Sequence, residues 1–357
     1  MAVDARTLVP ESFTPAWVQA ALAVEHPGVE VRDVAIEPAG TGQIAATYRI
    51  TPDYGKGPRG PATLVLKCPP AEPAARSVAT RSGSYRVEIE FYRQMASQVD
   101  VRVPRCWGSD CPDDGDFLLL LEDAAPAVQG DQLAGCSVVQ AEAAIDEIVG
   151  LHVPYWDRLD ETMFPWMRRR RRDFGPAMVA HLPDMVDGYY RLFEGRVPEA
   201  TTALRDHLAD LLVAYLSVEW ELHSLVHGDY RIDNLMFGEP GVRPIVVDWG
   251  GLAEGPPVSD VSYFVGGSLV TADRRAAEEH LVRRYHEGIT ARGASGMSWD
   301  ELWRQYVMHA PMGLVISVLA PQSVQRTERG DRMFLTLTER HCQQVLDLGT
   351  LDLLLPR

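Results

Sequence analysis

The chain has 357 residues, of which 46% are hydrophobic and 24% charged, values that lie within the ordinary globular range. The 50 acidic residues outnumber the 34 basic ones and give a formal net charge of -16. This balance argues against a general binder of nucleic acid or of anionic membranes, because both need a basic surface. No apolar run approaches the roughly 20 residues of a membrane span, and residues 1–10 lack a signal-peptide profile.

The cysteines indicate the redox compartment of the protein, and the lysines are unusually few. The five cysteines (Cys68, Cys106, Cys111, Cys136 and Cys342) include no CxxC pair, so they favour neither a disulfide framework nor a zinc site. We therefore expect a reducing, cytoplasmic location. Only two basic residues are lysines, and each of them calls for an explanation: Lys56 lies in a Gly/Pro-rich turn, and Lys67 ends an apolar run.

The first third of the chain is predicted to consist of strands and turns with two helices. Thr14 and Pro15 are typical of an N-cap and a first helical position, and predict a short helix that ends near Ala23. A second helix is predicted from Tyr85 to Val99, where apolar residues recur at spacings of three and four. Strands are predicted over residues 31–36, 46–51, 62–67 and 117–121, the last being a continuous apolar run of the buried type.

The remainder is predicted to be mostly helical. Ser137 and Gln140 form a capping-box pattern before a helix that ends near His152, and residues 204–222 have the apolar spacing of a second long helix. Short strands are predicted near residues 225–227 and 245–248, with helices again from about residue 257. The pattern predicts an α+β architecture with a small β-rich lobe, residues 1–123, and a larger helical lobe, residues 124–357, joined by a hinge near residues 122–125.

The most informative stretch is HGDYRIDN, residues 227–234, followed by IVVDWG, residues 245–250. Phosphoryl transfer needs positioned metal ions, a clamp on the nucleotide phosphates and a carboxylate that orients or deprotonates the attacking hydroxyl. Mg²⁺ prefers hard oxygen ligands, typically one or two carboxylates together with phosphate oxygens. The spacing therefore assigns Asp229 as the catalytic base and Asn234 and Asp248 as the metal ligands.

HGDxxxxN followed by a strand and an Asp-Trp pair resembles the aminoglycoside phosphotransferase and choline kinase-like family, the small-molecule branch of the protein-kinase fold. The family's elements follow in order over residues 31–269. The FYRQM and LHVPYW stretches resemble most the ecdysteroid-kinase-like and general small-molecule phosphotransferase branch. The resemblance implies a bilobal kinase-like fold, ATP or GTP as donor, Mg²⁺ as metal, and a small-molecule alcohol as acceptor, such as an antibiotic or another natural product.

The resemblance also implies a lysine on the third strand that contacts the α- and β-phosphates and pairs with a glutamate on the next helix. Lys67 stands at that position. At about 100° per residue, Glu88 lies roughly 60° from the centre of the apolar stripe of its helix, on the inward edge, whereas Glu90 lies about 140° away, towards solvent. We therefore predict the pair Lys67–Glu88, with Glu90 as the weaker candidate, against the alternative that both partners are ordinary surface residues.

Two backbone segments complete the predicted nucleotide site. Gly40, Thr41, Gly42 and Gln43 are expected to form a flap over the phosphates, and the hinge from Glu122 to Ala124 is expected to meet the base. The flap segment also satisfies GxGxxA, but a dinucleotide site would need a helix and an acidic residue about twenty positions on, and neither is predicted. A plain hairpin turn remains the other reading.

Several residues could have either a structural or a functional role. His223 and His227 have the i, i+4 spacing of a zinc pair, but the segment between them is predicted as strand. The resemblance makes His227 and Asp260 braces of the catalytic loop, although an ordinary helix N-cap would explain Asp260 nearly as well. His152 either packs structurally or contacts substrate. Five arginines, residues 168–172, form either a solvated face with salt-bridge partners or a site for an anionic group of the substrate.

The leading hypothesis is thus an enzyme that phosphorylates a hydroxyl of a small molecule, and the second is a kinase-fold nucleotide-binding protein without activity. Degenerate kinases usually lose the lysine, the catalytic aspartate or the metal aspartate, and all three are present here. A protein kinase is disfavoured because the motif has HGD where protein kinases have HRD, and Trp249 where they have Phe. The family's acceptors include aminoglycosides and other antibiotics, choline-like alcohols, sugars and steroid-like alcohols, and the net charge mildly favours a cationic one.

Overall fold

The computed structural model describes residues 9–39, 45–70, 76, 83–111, 117–160, 162–169, 176–324 and 326–355. The chain divides into two compact units: Met1–Ala96 with Val103–Pro126, and Ser97–Arg102 with Ala127–Arg357. The predicted α+β class, β-rich in its N-terminal part and mainly helical in its C-terminal part, is confirmed. Among the described residues, no helix combines the length and the apolar character that crossing a membrane requires.

The first unit is built on a five-stranded antiparallel sheet. Its strands are β1 (Val31–Pro38), β2 (Ala46–Tyr54), β3 (Leu64–Cys68), β4 (Cys106–Asp110) and β5 (Leu118–Glu122), and its helices include α1 (Pro15–Leu22) and α2 (Ser84–Glu90). The strand order is β1–β2–β3–β5–β4. Thr14 caps α1 as predicted, because its side chain accepts a hydrogen bond from the backbone N–H of Trp17. Strand β4 was not predicted from the sequence.

Strand β5 is buried on both faces, which explains its continuous apolar run. Leu118 and Leu120 belong to the apolar cluster that contains residues of α1, whereas Leu119 and Leu121 belong to the cluster that contains Tyr85 of α2. Side chains alternate between the faces of a strand, so a strand covered on both sides must be apolar at every position.

The helix predicted over residues 85–99 is wrong in its second half. Helix α2 ends at Glu90, and Phe91–Met95 continue as a π-helical turn, in which the N–H of Ala96 bonds to the carbonyl of Phe91. The wider turn departs from the 100° step of an α-helix, so the apolar spacing beyond Glu90 does not describe one regular helix.

The second unit is mainly helical. Its helices include α3 (Val138–His152), α4 (Pro176–Leu192), α5 (Glu199–Ala203), α6 (Leu208–Leu216), α7 (Val258–Ser268), α8 (Thr271–Ala291), α9 (Trp299–Met308), α10 (Met312–Leu319), α11 (Glu328–Leu348) and α12 (Thr350–Leu354). The capping box of α3 is confirmed, since Ser137 and Gln140 exchange both hydrogen bonds. The long helix predicted over residues 204–222 is shorter and is preceded by a separate turn of helix, α5.

Two small sheets accompany these helices. Their strands are β6 (Val128–Gln129), β7 (Arg168–Arg169), β8 (Ser224–Val226), β9 (Leu235–Phe237), β10 (Ile245–Val246) and β11 (Ala253–Gly255). They pair in the orders β10–β9–β6 and β7–β11–β8. The loop between β8 and β9 contains the HGDYRIDN motif, and the loop after β10 contains Asp248, so the two sheets position the second unit's candidate site residues.

Candidate active site

The loop that carries Asp229 is held by a buried carboxylate. Asp260, in the first turn of α7, accepts hydrogen bonds from the backbone N–H groups of His227 at 2.6 Å and of Gly228 at 3.0 Å. The N-cap of α7 is Pro257, so Asp260 does not have the plain capping role that the sequence left open. Two backbone donors on one ionised acceptor fix the path of the chain immediately before Asp229.

His227 reinforces the same loop as a neutral ring. Burial lowers its pKa and outweighs the nearby charges of Asp260 and Asp229, which would raise it. Its Nε2 lies 3.1 Å from the carbonyl oxygen of Val247, which can only accept, so Nε2 carries the proton. Nδ1 then accepts from the backbone N–H of Asp229 at 3.3 Å. This geometry uses both ring nitrogens for structure, as the resemblance implied.

The carboxylate of Asp229 is oriented by three donors and remains 32% exposed. Tyr263 donates its hydroxyl to Oδ1 at 3.0 Å, and Asn234 donates Nδ2 to Oδ2 at 2.9 Å. The Nε of Arg231 lies 3.2 Å from both oxygens. An anionic acceptor fixed by protein donors and still reached by solvent can receive a further hydrogen bond from a hydroxyl.

Arg231 and Tyr263 were not predicted as site residues. Arg231 bridges Asp229 and Asp233, with Nη1 at 2.7 Å from the latter. Burial lowers the pKa of Arg231, but the charges of Asp229 and Asp233 outweigh it and raise the pKa above its ordinary value. The sequence signals were available: Arg231 lies inside the motif, and Tyr263 follows Asp260 by three positions, on the same helical face.

Asn234 and Asp248 offer the oxygen donors that Mg²⁺ prefers. Asn234 is buried, and its Nδ2 donates to the backbone oxygen of Asp229 at 2.8 Å as well as to the carboxylate, so Oδ1 is the amide atom available to a metal ion. Asp248 is exposed and adopts a left-handed backbone conformation, with φ at 67°. The N–H of Val247 bonds to the carbonyl of Asn234 at 3.0 Å, which ties the two segments together.

A left-handed conformation is uncommon for residues other than glycine, although aspartate and asparagine adopt it more readily than most. Asp248 has this conformation at the position where the motif predicts a ligand. Within the described residues, no three His, Cys, Asp or Glu side chains group as a metal site would require. A Mg²⁺ site made of one carboxylate, one amide and substrate phosphates needs no such group, whereas a zinc site at His223 and His227 would.

In the first unit, the structure brings Lys67 and Glu88 together. Nζ of Lys67 lies 2.7 Å from both carboxylate oxygens of Glu88, and their side chains are 12% and 4% exposed. Glu90 points elsewhere: its carboxylate accepts from Gln94 at 2.6 Å. The α-helical part of residues 85–99 ends only after Glu88, so the 100° step used to choose this partner applies.

The structure describes the predicted hinge residues but not the predicted flap residues. Glu122 ends β5 and donates its backbone N–H to the carbonyl of Arg105 at 2.8 Å, while Ala124 is buried. Between them, Asp123 forms an ion pair with Arg49 at 2.7 Å. The flap residues Gly40, Thr41, Gly42 and Gln43 lie outside the described residues.

His152 and Arg169 of the arginine run are buried and paired within the second unit. His152 is fully buried, with Nδ1 at 2.7 Å from the hydroxyl of Tyr285 and Nε2 at 3.4 Å from Asp260, which favours the packing reading. Arg169 is buried and pairs with Glu254 of β11 at 2.6 Å. Residues 170–172 lie outside the described residues.

The sequence and the fold were each compared with those of known proteins. The sequence profile of the phosphotransferase enzyme family matches residues 35–296. The fold resembles the GDP complex of wild-type aminoglycoside 2'-phosphotransferase-IIIa, with a TM-score of 0.55, 12% identity, and coverage of 92% of this chain and 98% of that one. It also resembles macrolide 2'-phosphotransferase type I, with a TM-score of 0.50, 14% identity, and coverage of 91% and 97%.

A comparison with curated protein sequences found no match. The profile match spans well over half of the residues, and the two solved structures support the fold. The chain belongs to the phosphotransferase enzyme family.

Proposed function

We propose that the protein is a small-molecule kinase that transfers the γ-phosphoryl group of ATP or GTP to a hydroxyl of its acceptor. The observation that carries the proposal is the carboxylate of Asp229. It is fixed by Tyr263, Asn234 and Arg231 and remains partly exposed at the end of a braced loop. A general base needs this combination, since it must hold its orientation and still reach the proton that it accepts.

Bond changes follow from this arrangement. The acceptor oxygen forms a bond to the γ-phosphorus while the bond from that phosphorus to the bridging oxygen breaks, and the nucleoside diphosphate leaves. The hydroxyl proton moves to the carboxylate of Asp229. Neutral His227 takes no proton, because both of its ring nitrogens are engaged by backbone groups.

Each unit of the chain offers candidate groups for binding the donor. Lys67, oriented by Glu88, would contact the α- and β-phosphates, and Asn234 and Asp248 would hold Mg²⁺. When bound, the metal neutralises charge on the phosphoryl oxygens. The hinge backbone from Glu122 to Ala124 would meet the base.

Similar solved structures support a nucleotide donor and a small-molecule acceptor. One was solved as a GDP complex of an aminoglycoside 2'-phosphotransferase, and another holds GDP and kanamycin. By this likeness we propose an alcohol acceptor such as an antibiotic or another natural product. We also propose a reducing, cytoplasmic location, because the five cysteines include no CxxC pair.

The test separates an enzyme from an inactive nucleotide-binding protein. Thermal-shift titrations with ATP and GTP, each with Mg²⁺, measure binding, and product formation with candidate alcohols measures turnover. We expect D229N to keep the nucleotide-induced shift and to lose at least about 100-fold in turnover. Stabilisation by nucleotide without turnover in any acceptor mixture would favour the inactive nucleotide-binding protein instead.

A further inference from the structure

Two buried aromatic side chains, Tyr263 and His341, pack on each other, and Tyr263 also packs next to Asp229. The ring of Tyr263, whose hydroxyl bonds to Asp229, stacks on His341 of α11, with ring centroids 5.5 Å apart and planes 15° from parallel. Tyr263 is 1% exposed and His341 fully buried. The mechanism proposed above uses the Tyr263 hydroxyl but gives no role to the stack on His341, so that stack needs its own explanation.

The hydroxyl of Tyr263 can act only as a donor towards Asp229. Burial, and next the charge of Asp229, raise the pKa of Tyr263 well above its ordinary value, so the phenol keeps its proton. An ionised carboxylate only accepts hydrogen bonds. Oδ1 of Asp229 therefore accepts a hydrogen bond from Tyr263 of α7, and Oδ2 accepts one from Asn234.

His341 is held in one orientation. Gln344 donates its Nε2 to Tyr306 at 3.0 Å, so its Oε1 is an acceptor, and it lies 3.1 Å from Nδ1 of His341. Nδ1 therefore carries the proton. Burial lowers the pKa of His341 to about 4, so the ring is neutral and Nε2 is bare. Within the part of the chain that the structure describes, this nitrogen has no hydrogen-bond partner.

Three glycines make room for the His341 ring. A Cβ at Gly313 of α10 would lie 2.0 Å from Nε2, and one at Gly267 would lie 2.8 Å from Nε2. A Cβ at Gly266 would meet Gln344 first, 1.9 Å from its Oε1, and would lie 2.7 Å from Nδ1 of His341. Gly266 and Gly267 are three and four residues after Tyr263, so all three share one face of α7. Glycine is a poor helix former, so Gly266 and Gly267 within α7 need an explanation, and the space that the His341 ring and Gln344 occupy provides it.

We propose that Tyr263, seated on His341, is a positioning residue for the transfer reaction: its hydroxyl holds the Asp229 carboxylate in the orientation that meets the acceptor. The inference rests on the proposed function. The hydroxyl fixes one oxygen, Asn234 fixes the other, and rotation about the side-chain bonds of Asp229 is removed before the acceptor arrives. The stack fixes the phenol, since its ring cannot shift without displacing a fully buried histidine.

Tyr263→Phe tests the inference because it removes the hydroxyl and keeps the stacked ring. The matched control is Tyr190→Phe, which also removes a buried tyrosine hydrogen bond, to the carbonyl of Thr201 at 2.8 Å, away from the catalytic loop. Calorimetric titration with Mg²⁺ and ADP counts competent sites, and turnover of Mg²⁺-ATP with the alcohol found by the acceptor screen is expressed per site.

We expect Y263F to lower kcat per competent site about tenfold, with KM for ATP within about twofold of wild type, and Y190F to leave both unchanged. A purely structural role would lower the number of sites and leave kcat per site as in wild type, and this result would overturn the inference. Should Y263F not fold, His341→Asn keeps a donor towards Gln344 but removes the ring, and a severalfold loss of kcat at constant KM is expected. Absence of turnover in wild type would instead contradict the proposed function, and the inference with it.

Discussion

The substitution Asp260→Asn tests the brace of the catalytic loop most sharply. The carboxylate of Asp260, 3% exposed, accepts two backbone N–H groups, from His227 and Gly228. An amide of the same shape has one oxygen, so its NH₂ group must face one of those donors. One charge-assisted hydrogen bond is lost and a buried donor is left unpaired, which costs about 1.5–3 kcal/mol.

At about 2–4 °C per kcal/mol, this loss predicts a fall in Tm of roughly 5 °C. Urea unfolding should show the same free-energy change, and turnover per folded molecule should fall because the loop path ahead of Asp229 is no longer fixed. Asp273→Asn is the matched control, since Asp273 is an exposed carboxylate in the first turn of α8 and should change Tm by less than about 1 °C. A Tm for D260N within 1 °C of the D273N control would refute the reasoning.

Three further predictions follow from single contacts. Lys67→Met should lower turnover at least about tenfold at a fixed ATP concentration. Lys56→Met, at the only other lysine, is the control and should match wild type in the same assay. Equal losses of turnover in both variants would contradict a phosphate-binding role of Lys67. Arg169→Met leaves the buried carboxylate of Glu254 without its partner and should cost about 3–5 kcal/mol in urea unfolding, part of which E254Q in the same chain should restore; an unchanged midpoint would disprove the pair's role. Because burial lowers the pKa of His341 from 6.5 to about 4, the unfolded chain binds more protons between these pH values. Stability should therefore fall by about 3 kcal/mol as pH drops through this window, and less in H341N; identical slopes in both proteins would argue against it.

The motif and six of the strands (β1, β2, β3, β5, β8 and β10) could be predicted because their signals are local. The HGDYRIDN spacing places Asp229 and Asn234 on one loop, and a strand covered on both faces is apolar at every position, as β5 is. The choice of Glu88 over Glu90 also depended on local geometry, the 100° step of an α-helix.

The parts that were missed depend on contacts between distant segments. The π-helical turn at Phe91–Met95 interrupts a pattern that reads as one helix. Residues 97–102 belong to the second unit, in which Asp100 pairs with Arg243 at 2.9 Å, more than 140 positions along the chain. Such a pairing has no signature in the local sequence.

The role of Tyr263 was missed for a related reason. The spacing from Asp260 puts Tyr263 on the helical face that braces the catalytic loop, but the bond from its hydroxyl to Asp229 depends on how α7 packs beside the loop after β8. The burial of Arg169 also depends on a distant contact. A run of arginines is typical of a solvated face, yet Arg169 is buried against Glu254.

The most direct test of the central claim is a mass-spectrometric screen for phosphoryl transfer. Wild-type protein and D229N are each incubated with Mg²⁺, ATP or GTP, and a mixture of alcohols, sugars and antibiotics. We predict that wild type converts at least one compound to a product heavier by one phosphoryl group, in amounts that depend on nucleotide and Mg²⁺, and that D229N forms about 100-fold less of it. Product formation by D229N at the wild-type rate would contradict the assignment of Asp229 as the base.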